Sequence, residues 1–141
     1  MSMRIAVAVL LALTLTAPAH AQTAAEVLVG QPVAALVDDR AVATLLRQAS
    51  GGRQSIVARR LRNPGVPLAL AEEGWVYGWT CAPPRCGHED LFLAHEPGTG
   101  RVVLMLVDDG VPVFTVPPRS GAWPRPLEAA LVAFRAALAA R

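Results

Sequence analysis

Lysine is absent from this sequence, so all thirteen of its basic side chains are arginines. The absence goes with an abundance of alanine, arginine, glycine and proline. It reflects a GC-rich coding bias and carries no function. Charge of either sign is sparse, with 11 acidic residues against the arginines and a formal net charge of +2. That balance excludes a general electrostatic attraction to nucleic acid or to an anionic lipid surface. No internal repeat or low-complexity segment occurs. Catalytic signatures are missing as well. Ser55 and Ser120 stand in no nucleophile elbow, Asp108-Asp109 reads as turn chemistry, and Glu72-Glu73 reads as a solvated lead into a strand. The chain is therefore not expected to be an enzyme, and no cofactor or bound metal is expected.

The longest apolar run lies at the N-terminus. Arg4 precedes an uninterrupted stretch from Ile5 to Leu15, and Ala19-His20-Ala21 then gives a small-x-small cleavage pattern. This is the layout of a secretory signal peptide. The run is too short to span a bilayer comfortably, and no stop-transfer charges follow it. No cysteine stands at the cleavage point to carry a lipid. The expectation is a leader over 1–21 and one exported domain over 22–141, with no membrane attachment after cleavage.

Thr23 to Gly30 reads as a lead-in. The stretch from Gln31 to Gly52 reads as one helix, with Pro32 in its first turn and Gly51-Gly52 as its stop. Val33, Leu36, Val37, Leu45 and Leu46 can share a face. Ser55 to Arg62 reads as a second helix, ended by Asn63-Pro64-Gly65. Its Arg59, Arg60 and Arg62, with Arg53, are expected to form a solvated basic cluster. The period then changes. Gly74 to Cys81 alternates, with Trp75, Tyr77, Trp79 and Cys81 on one side. Asp90–Glu96, Arg101–Asp109 and Val111–Val116 are strand-like, and Asp109-Gly110 between apolar runs is a hairpin signal. Pro112 puts the last of these at a sheet edge or starts it later. A final helix to about Ala140 carries Leu127, Leu131, Phe134 and Leu138 at helical spacing, a stripe expected to lie on the sheet. The order predicts an α+β domain, an antiparallel meander packed by N-terminal and C-terminal helices.

Cys81 and Cys86, with Ala82, Pro83, Pro84 and Arg85 between them, are the only cysteines. A redox centre would place two residues between its cysteines at a helix start. A zinc site would have to draw on Cys81, Cys86, His88 and His95, whose spacing matches no common finger. In an exported chain two cysteines usually pair, and an arch this small gains about 2 kcal/mol from closure. A staple alone does not need two adjacent prolines. Prolines and a disulfide together freeze the arch, which removes an ordering cost on binding. That suits a finger entering a cleft.

The run from Trp75 to Glu96 resembles the Ivy family, periplasmic inhibitors of vertebrate lysozyme. Those proteins carry an aromatic strand, a disulfide-closed loop of pattern Cys-x-Pro-His-x-Cys, often followed by glycine, and then an apolar strand. Trp75, Tyr77, Gly78, Cys81, Pro83, Cys86, Gly87, Leu91 and Leu93 fit that layout. The resemblance implies a periplasmic location and a lysozyme or related cell-wall lytic enzyme as partner, and it leaves room for a homodimer. It also implies a partner-binding loop of Ala82, Pro83, Pro84 and Arg85, with His88 beside it. Three positions depart from the pattern. Pro84 replaces the loop histidine that contacts the catalytic carboxylates, Ala82 replaces a lysine, and Arg85 replaces an acid. Arg85 is then the cation left to grip carboxylates. His88 would either help it or stand as a loop histidine without a partner. The alternative is an Ivy-like protein that has lost lysozyme inhibition and binds another envelope partner.

Overall fold

The computed structural model describes residues 19–81, 86–118 and 121–140, and the side chains from residue 24 onward within them. Of the expected leader only Ala19, His20 and Ala21 fall within this range, as the start of the first helix.

Among the described residues, four α-helices and five strands follow one another as α1 (Ala19–Leu28), α2 (Arg40–Ala49), α3 (Gln54–Leu61), β1 (Gly65–Leu70), β2 (Val76–Thr80), β3 (Glu89–Glu96), β4 (Arg101–Asp108), β5 (Val111–Val116) and α4 (Glu128–Ala139). The strands form one antiparallel sheet in sequential order, with β1 and β5 at its edges. This is the α+β meander expected. Among the described residues, no helix is long and apolar enough to cross a membrane.

The sheet is a middle layer. On one side Ala25 of α1, Val42 and Leu46 of α2, and Val57 and Leu61 of α3 pack on Leu68, Val76, Leu91, Leu93, Leu104 and Leu106. On the other, Leu127 and α4 residues Ala130, Leu131 and Phe134 pack on Trp75, Phe92, Ala94, Val103, Met105 and Val107. This explains why β3 and β4 read as continuous apolar runs while β2 alternates more clearly. Both of these interior strands, β3 and β4, are covered on both faces.

Three local readings are corrected. The segment expected as one helix from Gln31 to Gly52 is broken in two, a 3₁₀ turn over Val33–Val37 and then α2. The break is a capping event: the Asp39 side chain accepts a hydrogen bond from the Ala41 N–H at 2.7 Å and starts a new helix. The lead-in before Gly30 is helical, as α1. And β1, Gly65–Leu70, went unread because Pro67 interrupts a short run. An edge strand tolerates that proline. The 3₁₀ turn rests directly on the sheet because Gly78 has no side chain there. A Cβ at that position would lie 2.8 Å from Val33 Cγ2.

The β4–β5 connection is the two-residue hairpin expected. Asp109 and Gly110 have φ of 50° and 76°, both in the left-handed region that such turns demand. Between β3 and β4, the Glu96 carboxylate accepts from the N–H groups of Gly98 (2.7 Å) and Thr99 (2.9 Å), which closes that turn.

Candidate functional site

The cysteine arch sits at one end of the sheet, between β2 and β3. Cys81 and Cys86 form a disulfide with their Cα atoms 4.8 Å apart. Both sulfurs are thereby taken up in the bond, which leaves no thiolate for the zinc alternative at this pair. Of the other two residues of that zinc set, His95 is buried within β3 with Nδ1 3.1 Å from the Arg101 carbonyl. The expected contact residues Ala82, Pro83, Pro84 and Arg85 lie outside the described residues. What the structure does describe is how the two ends of the arch are held.

The entering end is fixed by the Cys81 N–H, which donates to the Pro64 carbonyl at 3.0 Å. The leaving end is fixed by Asp90. Its side chain is fully buried, and one carboxylate oxygen accepts from the Gly87 N–H at 2.8 Å. At the next residue, His88, the β4–β5 hairpin closes over the base. The Asp109 N–H donates to the His88 carbonyl at 2.7 Å, and the Asp109 carboxylate lies 2.6 Å from His88 Nδ1. His88 is thus no unpartnered loop histidine. It ties the arch to the hairpin turn.

Beneath this lies Arg60, which corrects the expected solvated cluster. Arg60 is 3% exposed, while Arg59 and Arg62 are exposed. One guanidinium nitrogen donates to the carbonyls of Asp90 (2.9 Å) and Val107 (3.1 Å), and the other pairs with the Asp108 carboxylate. Arg53 is also drawn in, with its guanidinium 4.4 Å from the ring centre of Phe114. Arg59 lies 3.9 Å from Glu89. A signal for Arg60 was present in the sequence. It falls three residues after Val57 and one before Leu61, on the face of α3 that turns inward.

Burial pushes the Asp90 carboxyl above the usual carboxylate range. The Gly87 hydrogen bond and the nearby charge of Arg60 offset this only in part, and the second carboxylate oxygen has no partner among the described residues. The sign of the consequence follows. A carboxyl whose folded pKa is raised favours folding when it is protonated. That contribution is full below its unfolded pKa and is lost as pH rises through the folded one. Asp90→Asn removes this dependence and can keep an acceptor for Gly87. The variant should therefore melt at a higher temperature than the parent at pH 7, with the gap shrinking as pH falls towards 4. A gap that grew on acidification would refute the assignment.

Closure of the arch should contribute about 2 kcal/mol, the chain-entropy value for so short a loop. Reduction with dithiothreitol should lower stability in urea by about that amount and leave the far-ultraviolet circular dichroism unchanged. Loss of the sheet signal on reduction would show that the disulfide holds the fold and not only the loop.

No curated protein and no solved structure matches the chain. A family model described as inhibitor of vertebrate lysozyme matches residues 41–137, a span that takes in all but the first residue of α2, then α3, the whole sheet, the disulfide arch and most of α4. The chain belongs to the Ivy family, a family of lysozyme inhibitors and not of enzymes.

Proposed function

We propose that this protein is a periplasmic inhibitor of lysozyme-type glycoside hydrolases, a single domain over 22–141 exported by a leader over 1–21, and that it plugs the enzyme cleft with the loop between Cys81 and Cys86. The observation that carries the reading is the Cys81–Cys86 disulfide in a member of this family. Its anchoring supports the mechanism. A loop braced by Asp90, Asp109 and the Pro64 carbonyl loses little further freedom on binding. Pro83 and Pro84 add fixed φ angles at the tip.

Glycoside hydrolases of this kind hold two carboxyl groups across the scissile bond. Arg85 is the cation between the cysteines, and its planar guanidinium matches paired carboxylates with two parallel hydrogen bonds. In this reading Arg85 makes the contact at the cleft, and His88 braces the loop from behind. Inhibition is steric and electrostatic and involves no chemistry by the inhibitor.

One observation favours a second reading, in which the scaffold binds another envelope protein. Pro84 stands where the family resemblance places a histidine, and proline has no side-chain donor. Lysis of cell-wall suspensions by c-type lysozyme, titrated with the purified protein, separates the two. Stoichiometric inhibition is expected. Losing a charge-assisted partner in a desolvated contact costs about 2–5 kcal/mol, so Arg85→Ala should weaken inhibition about 30-fold or more with melting temperature unchanged. Pro84→His should strengthen it. If both the parent and Pro84→His leave lysozyme activity intact at micromolar protein, the second reading stands.

A further inference from the structure

The helical face of the sheet carries a feature remote in kind from the arch. A groove of about 380 Å³ runs between the Val33–Val37 turn, α2 and α3. That is within the roughly 300–1,000 Å³ of ordinary small-molecule sites. Val37, Leu46, Val57 and Leu61 form its walls. Alanines on three different elements, Ala34, Ala43 and Ala58, keep it open, and a larger side chain at any of them would fill it.

The walls present almost nothing to a polar ligand. The Ser50 hydroxyl already donates to the Leu46 carbonyl at 2.5 Å, and the Gln54 side-chain amide to the Arg47 carbonyl at 3.4 Å. A sugar, a nucleotide or a peptide backbone lying here would leave its own polar groups unpaired. Hydrocarbon would not. Among the described residues no acidic side chain lines the groove, and two arginines do, Arg47 in the last turn of α2 and Arg62 just past α3. Both are exposed, and neither has an ion-pair partner among the described residues.

We infer that this groove binds a single-chain anionic amphiphile of the fatty-acid type. The hydrocarbon lies on Val37, Leu46, Val57 and Leu61, and the carboxylate meets Arg47 or Arg62. The inference is independent of lysozyme inhibition, because the groove shares no residue with the arch or its anchors. With a net charge of only +2 the attraction is local to these two arginines.

Octanoate, decanoate and dodecanoate, each below its micelle concentration, are titrated into the purified protein and followed by methyl carbon–proton spectra. Saturable shifts confined to Val37, Leu46, Val57 and Leu61 are expected. Kd should fall by roughly fourfold for each added methylene, the transfer free energy of one buried CH₂. Ala58 is exposed on α3, so Ala58→Phe should keep the parent's melting temperature and abolish the shifts. Arg47→Glu with Arg62→Glu should weaken dodecanoate at least tenfold, and dodecyltrimethylammonium should not bind. Four results would each overturn the proposal: affinity independent of chain length, equal binding of the cationic amphiphile, unchanged affinity in the Ala58→Phe or double-arginine variant, or shifts spread over the exposed Leu70, Val111 and Val113. Absence of any saturable shift, the result if a second copy already fills the groove, would overturn it too.

Discussion

Replacing Arg60 by alanine is expected to lower the unfolding free energy by about 2–5 kcal/mol, mostly from two buried carbonyl acceptors left without a donor at about 1–3 kcal/mol each, since the paired Asp108 side chain is half-exposed and can turn to water. The side chain is 3% exposed and serves three acceptors at the end of the sheet that holds the arch, the carbonyls of Asp90 and Val107 and the Asp108 carboxylate. Alanine leaves both carbonyls without this donor in a region closed to water. It also removes the favourable charge nearest to Asp90, whose carboxyl already suffers from burial. Arg60→Met keeps the hydrocarbon stem in place and should cost less, because only the polar partners are lost and no cavity is added. Urea denaturation of the two variants measures this, with the slope m expected to stay at the parent value. A loss below about 1 kcal/mol for Arg60→Ala would mean that water reaches the two carbonyls, and that Arg60 is not what holds α3 to the end of the sheet.

The second large effect is expected on the opposite face. Phe134 is fully buried, and its ring lies 5.5 Å from Phe92 and 5.7 Å from Trp79, centre to centre, in tilted arrangements. Phe134→Ala removes the ring that joins α4 to β2 and β3. It should cost about 3–5 kcal/mol, combining lost burial with the cavity left in a packed layer. Leu131→Ala, at the edge of the same cluster and 8% exposed, should fall towards the lower end of the range for buried leucine, about 2 kcal/mol. Thermal or urea unfolding checks the order. A larger loss at Leu131 than at Phe134 would mean that α4 is seated on the sheet in a different rotation.

Most of the architecture was readable because it rests on local period. The Leu127, Leu131, Phe134 and Leu138 stripe, the alternation of Trp75, Tyr77 and Trp79, and the Asp109-Gly110 turn each encode their element within a few residues, and each has the role expected. The errors lie where a local signal is weak or is overridden. Val33 to Ala49 has helical period throughout, yet Asp39 offers the backbone a side-chain acceptor and divides it. Val66 to Leu70 lacks a clear period, and pairing with β2 makes it a strand. For the candidate site the division is sharper. The two cysteines, the prolines and Arg85 were visible at once because they adjoin in the chain. The anchors were not, because Arg60, Asp90, Asp108 and Asp109 come from three different elements and meet only when α3, β3 and the β4–β5 hairpin converge.

The α+β class, the antiparallel meander, the α4 stripe and the pairing of the two cysteines were all legible in the residue order. These depend on neighbours within a turn, a strand or a short loop, and on the resemblance of one continuous stretch to a known family. It took the folded chain to show that Arg60 is buried while Arg59 and Arg62 are exposed, that Asp90 holds the Gly87 end of the arch, and that His88 is tied to Asp109. A charge can be buried only where partners from distant parts of the chain replace its water.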